Sequence, residues 1–206
     1  MRFATGMLCA ALAVWAACAS AGDGEEARRR GAKLYLSRCL ACHDLSLVRG
    51  ESLAKLGLGE AEIRGALGPG AASPMRAALG REQVKQTLGA LPPDLSLAAR
   101  SRASADLSGE EWLARYLQGF TPDPARPSGW NNALVPNTAM PDALGGGGEE
   151  GGMPRRDAAD IAAFLGWAAE PGRAGREALA WPVLGVLTVF AFLCYALMRT
   201  WRKDVS

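Results

Sequence analysis

The run Cys39-Leu40-Ala41-Cys42-His43 constrains this 206-residue chain most, because it holds the only histidine. Cys-x-x-Cys-His is the spacing at which two thiols form thioethers to a c-type haem while the adjacent imidazole faces the iron. A chain committed to that chemistry must wrap a flat apolar ring. It must also find its second axial ligand outside histidine. Methionine is the leading donor, and a His/Met iron is tuned toward electron transfer at raised potential.

The apolar residues gather at the two ends. Residues 1–21 read as a secretory signal: Arg2 is a short positive region, Met7 to Ala17 an apolar stretch, and Ala19-Ser20-Ala21 a cleavage site. Lipid attachment at Cys18 is disfavoured by the bulky Trp15 three residues before it. Residues 178–198, ALAWPVLGVLTVFAFLCYALM, carry no charge, and about 20 such residues cross a bilayer as one helix. Trp181 and Trp201 flank this span as interfacial aromatics, and Arg199, Arg202 and Lys203 follow it. Basic residues stay on the cytoplasmic side. The expected layout is therefore a haem domain over 22–177 in the periplasm, a single pass of the bacterial inner membrane over 178–198, and a cytoplasmic tail over 199–206.

Between Gly22 and Glu177 the chain has 19 Lys+Arg against 20 Asp+Glu, a balance of −1, so the positive excess of the chain sits in Arg2 and the tail. A mildly acidic domain suits basic protein partners, and nothing points to nucleic acid. Of the five cysteines, only Cys39 and Cys42 belong to the 22–177 domain. Zinc, which takes four N or S ligands in structural sites, fails on supply. A thioredoxin-type redox pair would need a βαβ setting, which this pattern lacks. In an oxidising compartment the two thiols would form a disulfide unless haem takes both sulfurs.

Periodicity predicts a mostly α domain. Ala32, Tyr35, Leu36 and Cys39 place an amphipathic helix over Glu25–Asp44. Short helical patterns recur at Glu60–Leu67 and Arg81–Leu88, and no strong strand pattern appears between Leu45 and Leu91. Ser108-Gly109-Glu110-Glu111 is a capping-box pattern opening a helix to Gly119, with Trp112, Leu113, Tyr116, Leu117 and Phe120 as the apolar stripe. Prolines at 122, 124, 127, 136 and 141 and the glycines of 145–148 forbid regular helix over most of 121–154. A last helix is expected over Arg155–Ala169.

The 22–177 domain contains three methionines. Met75 follows Ser73-Pro74 and reads most simply as core filler. Met153 abuts a glycine- and glutamate-rich run. Met140 lies between Pro136 and Pro141, which restrict the backbone around it. Met140 is therefore the favoured sixth ligand, with Met75 and Met153 as the alternatives.

Several ordered signatures together resemble the cytochrome c1 family, the haem subunit of the ubiquinol–cytochrome c (bc1) reductase, in a bacterial version. They are Gly31-x-x-x-Tyr35 before the Cys-x-x-Cys-His run, Leu91-Pro92-Pro93-Asp94-Leu95-Ser96, Arg100-Ser101-Arg102, and Arg126-Pro127-Ser128-Gly129-Trp130-Asn131-Asn132. Ala139-Met140-Pro141 and Trp167-Ala168-Ala169-Glu170-Pro171 complete the set. The resemblance implies a single cytochrome c-type haem domain with long irregular loops and one C-terminal transmembrane helix. It implies Cys39 and Cys42 as covalent attachments of one haem c, and His43 and Met140 as axial ligands. Arg102 would contact a haem propionate, Pro92 and Pro93 would wall the haem edge, and Trp112 would stand near the propionates. Arg49-Gly50 departs from the family, which usually has an Arg-Tyr pair there.

The implied activity is single-electron transfer from the Rieske iron–sulfur protein to a soluble or tethered cytochrome c, beside cytochrome b and without side-chain catalysis. Two alternatives stand. One is a membrane-tethered monohaem cytochrome c feeding a terminal oxidase, which would lack the Pro-Pro-Asp-Leu-Ser and Gly-Trp-Asn-Asn blocks. The other is an anchored thiol oxidoreductase using Cys39 and Cys42 without haem.

Overall fold

The computed structural model describes residues 23–145 and 155–204. The expected signal at 1–21, Met153 and the glycine-rich stretch beyond Gly145 lie outside the described residues. The chain divides into two units, Met1–Ala169 and Glu170–Ser206.

In the first unit, helix α1 covers residues 23–34 and tightens into a π-turn over Tyr35–Cys39. The sequence reading carries this helix on to Asp44, but it stops at Cys39. The N–H groups of Cys42 and His43 both return to the Cys39 carbonyl, at 3.1 and 2.9 Å, and close a turn. Tyr35, fully buried, donates its hydroxyl to the His43 carbonyl at 2.8 Å and ties that turn to the helix.

Helix α1 packs on α6 (Arg155–Ala169), whose span agrees with the predicted one. Gly31 makes the approach possible, since a Cβ there would lie 1.9 Å from the Asp160 carbonyl oxygen. The Arg30 guanidinium grips the Asp160 carboxylate at 2.6 and 2.9 Å, a fork that lysine could not reproduce. Tyr35 and Phe164 meet ring to ring at 5.4 Å.

Between them the chain runs through β1 (Leu45–Arg49), a 3₁₀ turn (Gly50–Leu56), α2 (Glu60–Leu67), β2 (Pro74–Met75) and α3 (Arg81–Leu88). Helices α2 and α3 fall where predicted. The antiparallel pair β1–β2, with Leu45 opposite Met75 and Arg49 opposite Pro74, was not expected. It is too short and too irregular for a period-2 pattern to develop. Met75 is 2% exposed and packs in the core with Leu45, Val48 and Leu53.

Helix α4 (Ala98–Ser101) leads to α5 (Gly109–Gln118). Ser108 caps α5 by accepting the Glu111 N–H at 3.1 Å. The other half of the expected capping box does not form, because the Glu111 carboxylate pairs with Arg115 one turn on. Gly109 is another close approach, its would-be Cβ only 1.6 Å from the Ala99 carbonyl oxygen. The proline-rich segment then folds into a second unexpected hairpin, β3 (Phe120–Pro122) against β4 (Trp130–Asn132).

The second unit is helix α7, Arg173–Asp204, 32 residues long. Its Gly175–Arg202 stretch is long and apolar enough to cross a membrane. Because the helix begins at Arg173, Pro182 lies inside it rather than at its start, and the Ala178 carbonyl loses its usual N–H partner.

Candidate functional site

The Pro-Pro-Asp-Leu-Ser block is stitched to the segment that follows the Cys-x-x-Cys-His run. Asp94 accepts the Ser46 N–H at 3.0 Å and, as an Asx turn, the Ser96 N–H at 2.8 Å. Ser96, 2% exposed, accepts the Leu47 N–H on its hydroxyl at 3.0 Å. The Leu95 N–H returns to the Asp44 carbonyl at 2.9 Å. These bonds bring the Pro93 carbonyl to 2.9 Å from His43 Nδ1. With its Nδ1 proton donated there, a neutral imidazole carries its free lone pair on Nε2.

Burial holds the His43 imidazole below its ordinary pKa, against the opposing pull of the Pro93 bond and the Asp44 charge. The neutral form that binds metals is thereby favoured. Burial, reinforced by neighbouring Cys42, pushes the Cys39 thiol up to about 12. Cys39 is buried and Cys42 half-buried, and the two thiols are not joined to each other.

The Met140 segment is ordered by side chains bonded to its backbone. Asn132 accepts the Leu134 and Val135 N–H groups at 2.9 and 3.2 Å and donates to the Tyr116 carbonyl at 2.7 Å. Asn131 accepts the Asn137 N–H at 2.8 Å. The Arg126 guanidinium bonds the Asn137 side chain at 3.2 Å, the Asn137 carbonyl, and the Thr138 carbonyl at 3.3 Å. Asn137 itself takes a left-handed φ of 66°, which asparagine tolerates better than most residues. These bonds add to the restraint of the two prolines noted in the sequence.

All eight residues singled out in the sequence, Cys39, Cys42, His43, Pro92, Pro93, Arg102, Trp112 and Met140, line one cleft of about 350 Å³. Leu88, Leu91, Leu113, Leu117, Ile161 and Leu165 add apolar wall. Arg102 is exposed and lays its guanidinium 4.4 Å over the Trp112 ring. Trp112 stacks on Tyr116 with ring centroids 5.4 Å apart and planes 7° from parallel. Met75 is buried in the core and does not line the cleft. Among the described residues no cluster of three or more His, Cys, Asp or Glu side chains forms a metal site.

Two thiols, an imidazole with Nε2 free and a thioether, around an apolar slot with a cation among its lining groups, fit a haem held covalently. Residues that shape the cleft also stand inside the sequence blocks quoted above, without a part of their own assigned there. Asp94 and Ser96 place Pro93, and Arg126 and Asn132 place Met140. The Asp-x-Ser spacing of an Asx turn could have revealed the first pair. Arg126 and Asn132 act mainly on backbone atoms, so their part cannot be read from residue types.

Comparison with known proteins matches residues 71–205 to a family described as the Cytochrome C1 family. The chain is 33% identical over 210 residues to cytochrome c1 of Allochromatium vinosum, covering 86% of this chain and 84% of that one. It is 30% identical over 203 residues to a Nitrosomonas europaea protein named ammonia monooxygenase gamma subunit, covering 88% and 84%. A mitochondrial cytochrome c1 of Solanum tuberosum is 29% identical over 208 residues, covering 86% and 78%.

Proposed function

Because the chain belongs to the cytochrome c1 family, we propose that it is the haem c electron-transfer subunit of a bacterial bc1 complex. In this reading Cys39 and Cys42 would hold one haem through thioethers, and His43 and Met140 would supply the two further donors to its iron. The haem, when bound, would supply a one-electron couple. The chain's own residues position, shield and tune that couple.

His43 presents Nε2 because Pro93 holds Nδ1; such outer partners fix ligand orientation. Met140 offers a weak donor on a segment already shaped by Arg126, Asn131 and Asn132. A His/thioether pair favours a raised potential. Pro92, Pro93 and the leucines exclude water from the slot, while Arg102 and Trp112 are suited to meet the acidic edge of the ring. Residues 178–198 would anchor the domain in the inner membrane, with the haem domain in the periplasm and residues 199–206 in the cytoplasm.

The partners proposed are cytochrome b as a stable neighbour, the Rieske protein as donor and a soluble or tethered cytochrome c as acceptor. The observation that carries this reading is the convergence of the Cys-x-x-Cys-His turn, the Pro93 carbonyl and Met140 on one apolar cleft. The haem-free thiol oxidoreductase fits less well, since it leaves Met140 and the apolar walls of the cleft without a part. Purification from membranes with a pyridine haemochrome spectrum tests the proposal. A covalent c-type signal accompanied by cytochrome b and a Rieske protein supports it. No covalent haem, or haem accompanied only by oxidase subunits, rejects it.

A further inference from the structure

We infer that Tyr116 is a positioning residue for the sulfur of Met140, its hydroxyl setting how strongly that thioether donates as the sixth ligand. The inference rests on the reading above. Tyr116 projects from α5, half-buried, with its hydroxyl oxygen 3.6 Å from Met140 Sδ and 2.9 Å from Thr138 Oγ1. A thioether sulfur only accepts. The order that makes both contacts hydrogen bonds is therefore Thr138 donating to Tyr116 and Tyr116 donating to Met140. Sulfur has two lone pairs, so one remains for a metal while the other receives the phenol proton.

The phenol is held for this task from three sides. Its ring stacks on Trp112 and meets Phe120 edge-on at 5.4 Å, and its backbone carbonyl is tied to Asn132. Thr138 is fixed in turn through its own carbonyl by Arg126. A proton donor on the sulfur draws electron density from it and weakens its support of ferric iron relative to ferrous. Outer hydrogen bonds to axial ligands are one of the levers by which a protein sets potential. Tyr116 thus raises the potential beyond what an unassisted methionine would give.

The test uses the full chain, haem-loaded and in membranes, with Tyr116→Phe and Thr138→Val compared with the parent by redox titration and by the sulfur-to-iron charge-transfer band. Tyr116→Phe should keep its covalent haem signal and shift the ferric/ferrous equilibrium about threefold toward ferric, on the order of 30 mV downward at 59 mV per tenfold, with the band displaced. Thr138→Val should shift the same way by less. If Tyr116→Phe does not accumulate, Thr138→Val decides, a downward shift supporting the inference. A titration unmoved in the variants that retain haem overturns it, because a purely structural role would change stability and not potential. Absence of covalent haem in the parent overturns the proposed function and this inference with it.

Discussion

The Nδ1 of His43 and the carbonyl oxygen of Pro93 lie 2.9 Å apart across 50 positions of sequence. That contact joins the haem-attachment turn to the Pro-Pro-Asp-Leu-Ser block, and Asp94 and Ser96 secure it on either side.

Asp94 gives the seam a pH dependence. Its burial raises the carboxyl pKa, but hydrogen bonds from Ser46 and Ser96 outweigh that and leave it below the ordinary carboxylate value. A folded-state pKa below the unfolded one contributes stability above the unfolded value near 4 and loses it as pH falls through the folded value. Asp94→Asn should therefore flatten the acid limb of thermal stability between about pH 5 and pH 2. Thermal unfolding midpoints of parent and variant across that range check this, and superimposable acid limbs would refute it.

Met140→Leu should retain covalent haem, since Cys39 and Cys42 are untouched, while the reduction potential falls substantially as the thioether is lost. Redox titration of membranes reads the change directly. An unchanged potential would remove Met140 from the axial position.

Arg126→Gln should release the carbonyls of Asn137 and Thr138 and loosen the segment before Met140, at a cost of about 1–3 kcal/mol for charge-assisted bonds. Arg126→Lys should rescue only partly, because one ammonium cannot reproduce the guanidinium fork. Hydrogen exchange of residues 133–141 is the measurement. Protection equal to the parent's in Arg126→Gln would sink the expectation.

Gly31→Ala should destabilise the first unit by about 3 kcal/mol, near the upper end for overpacking, since the added methyl would press on the Asp160 backbone. Chemical denaturation of the haem-loaded protein measures it. A stability within about 0.5 kcal/mol of the parent, as for an ordinary surface change, would show that α1 and α6 separate more easily than their packing implies.

Much of the helical frame was legible. Helices α2, α3 and α6 show spaced apolar residues, and Gly59 and Gly80 mark two of their starts. The end of α1 was not legible, because Arg38 and Leu40 continue the helical pattern while the backbone turns at Cys39. The two strand pairs were invisible for a different reason. Neither is long enough for alternation to stand out, and Phe120 reads equally well as the last apolar residue of α5. At the site, the thiols and the single histidine announce themselves by spacing. Arg102, Pro92 and Pro93 came forward only through family resemblance. The Arg126–Asn132 block stands out by resemblance, but the bracing by Arg126, Asn131 and Asn132 does not, because most of it is to main-chain atoms, whose partners no residue pattern records.

The bracing of residues 134–138 by Arg126, Asn131 and Asn132 is built wholly from polypeptide. The segment is thus a perch whose main-chain bracing makes no use of the side chain at position 140. An imidazole or amine installed there would inherit the same approach to the cleft, making this chain a natural scaffold for exchanging one ligand while the backbone before it keeps its bracing.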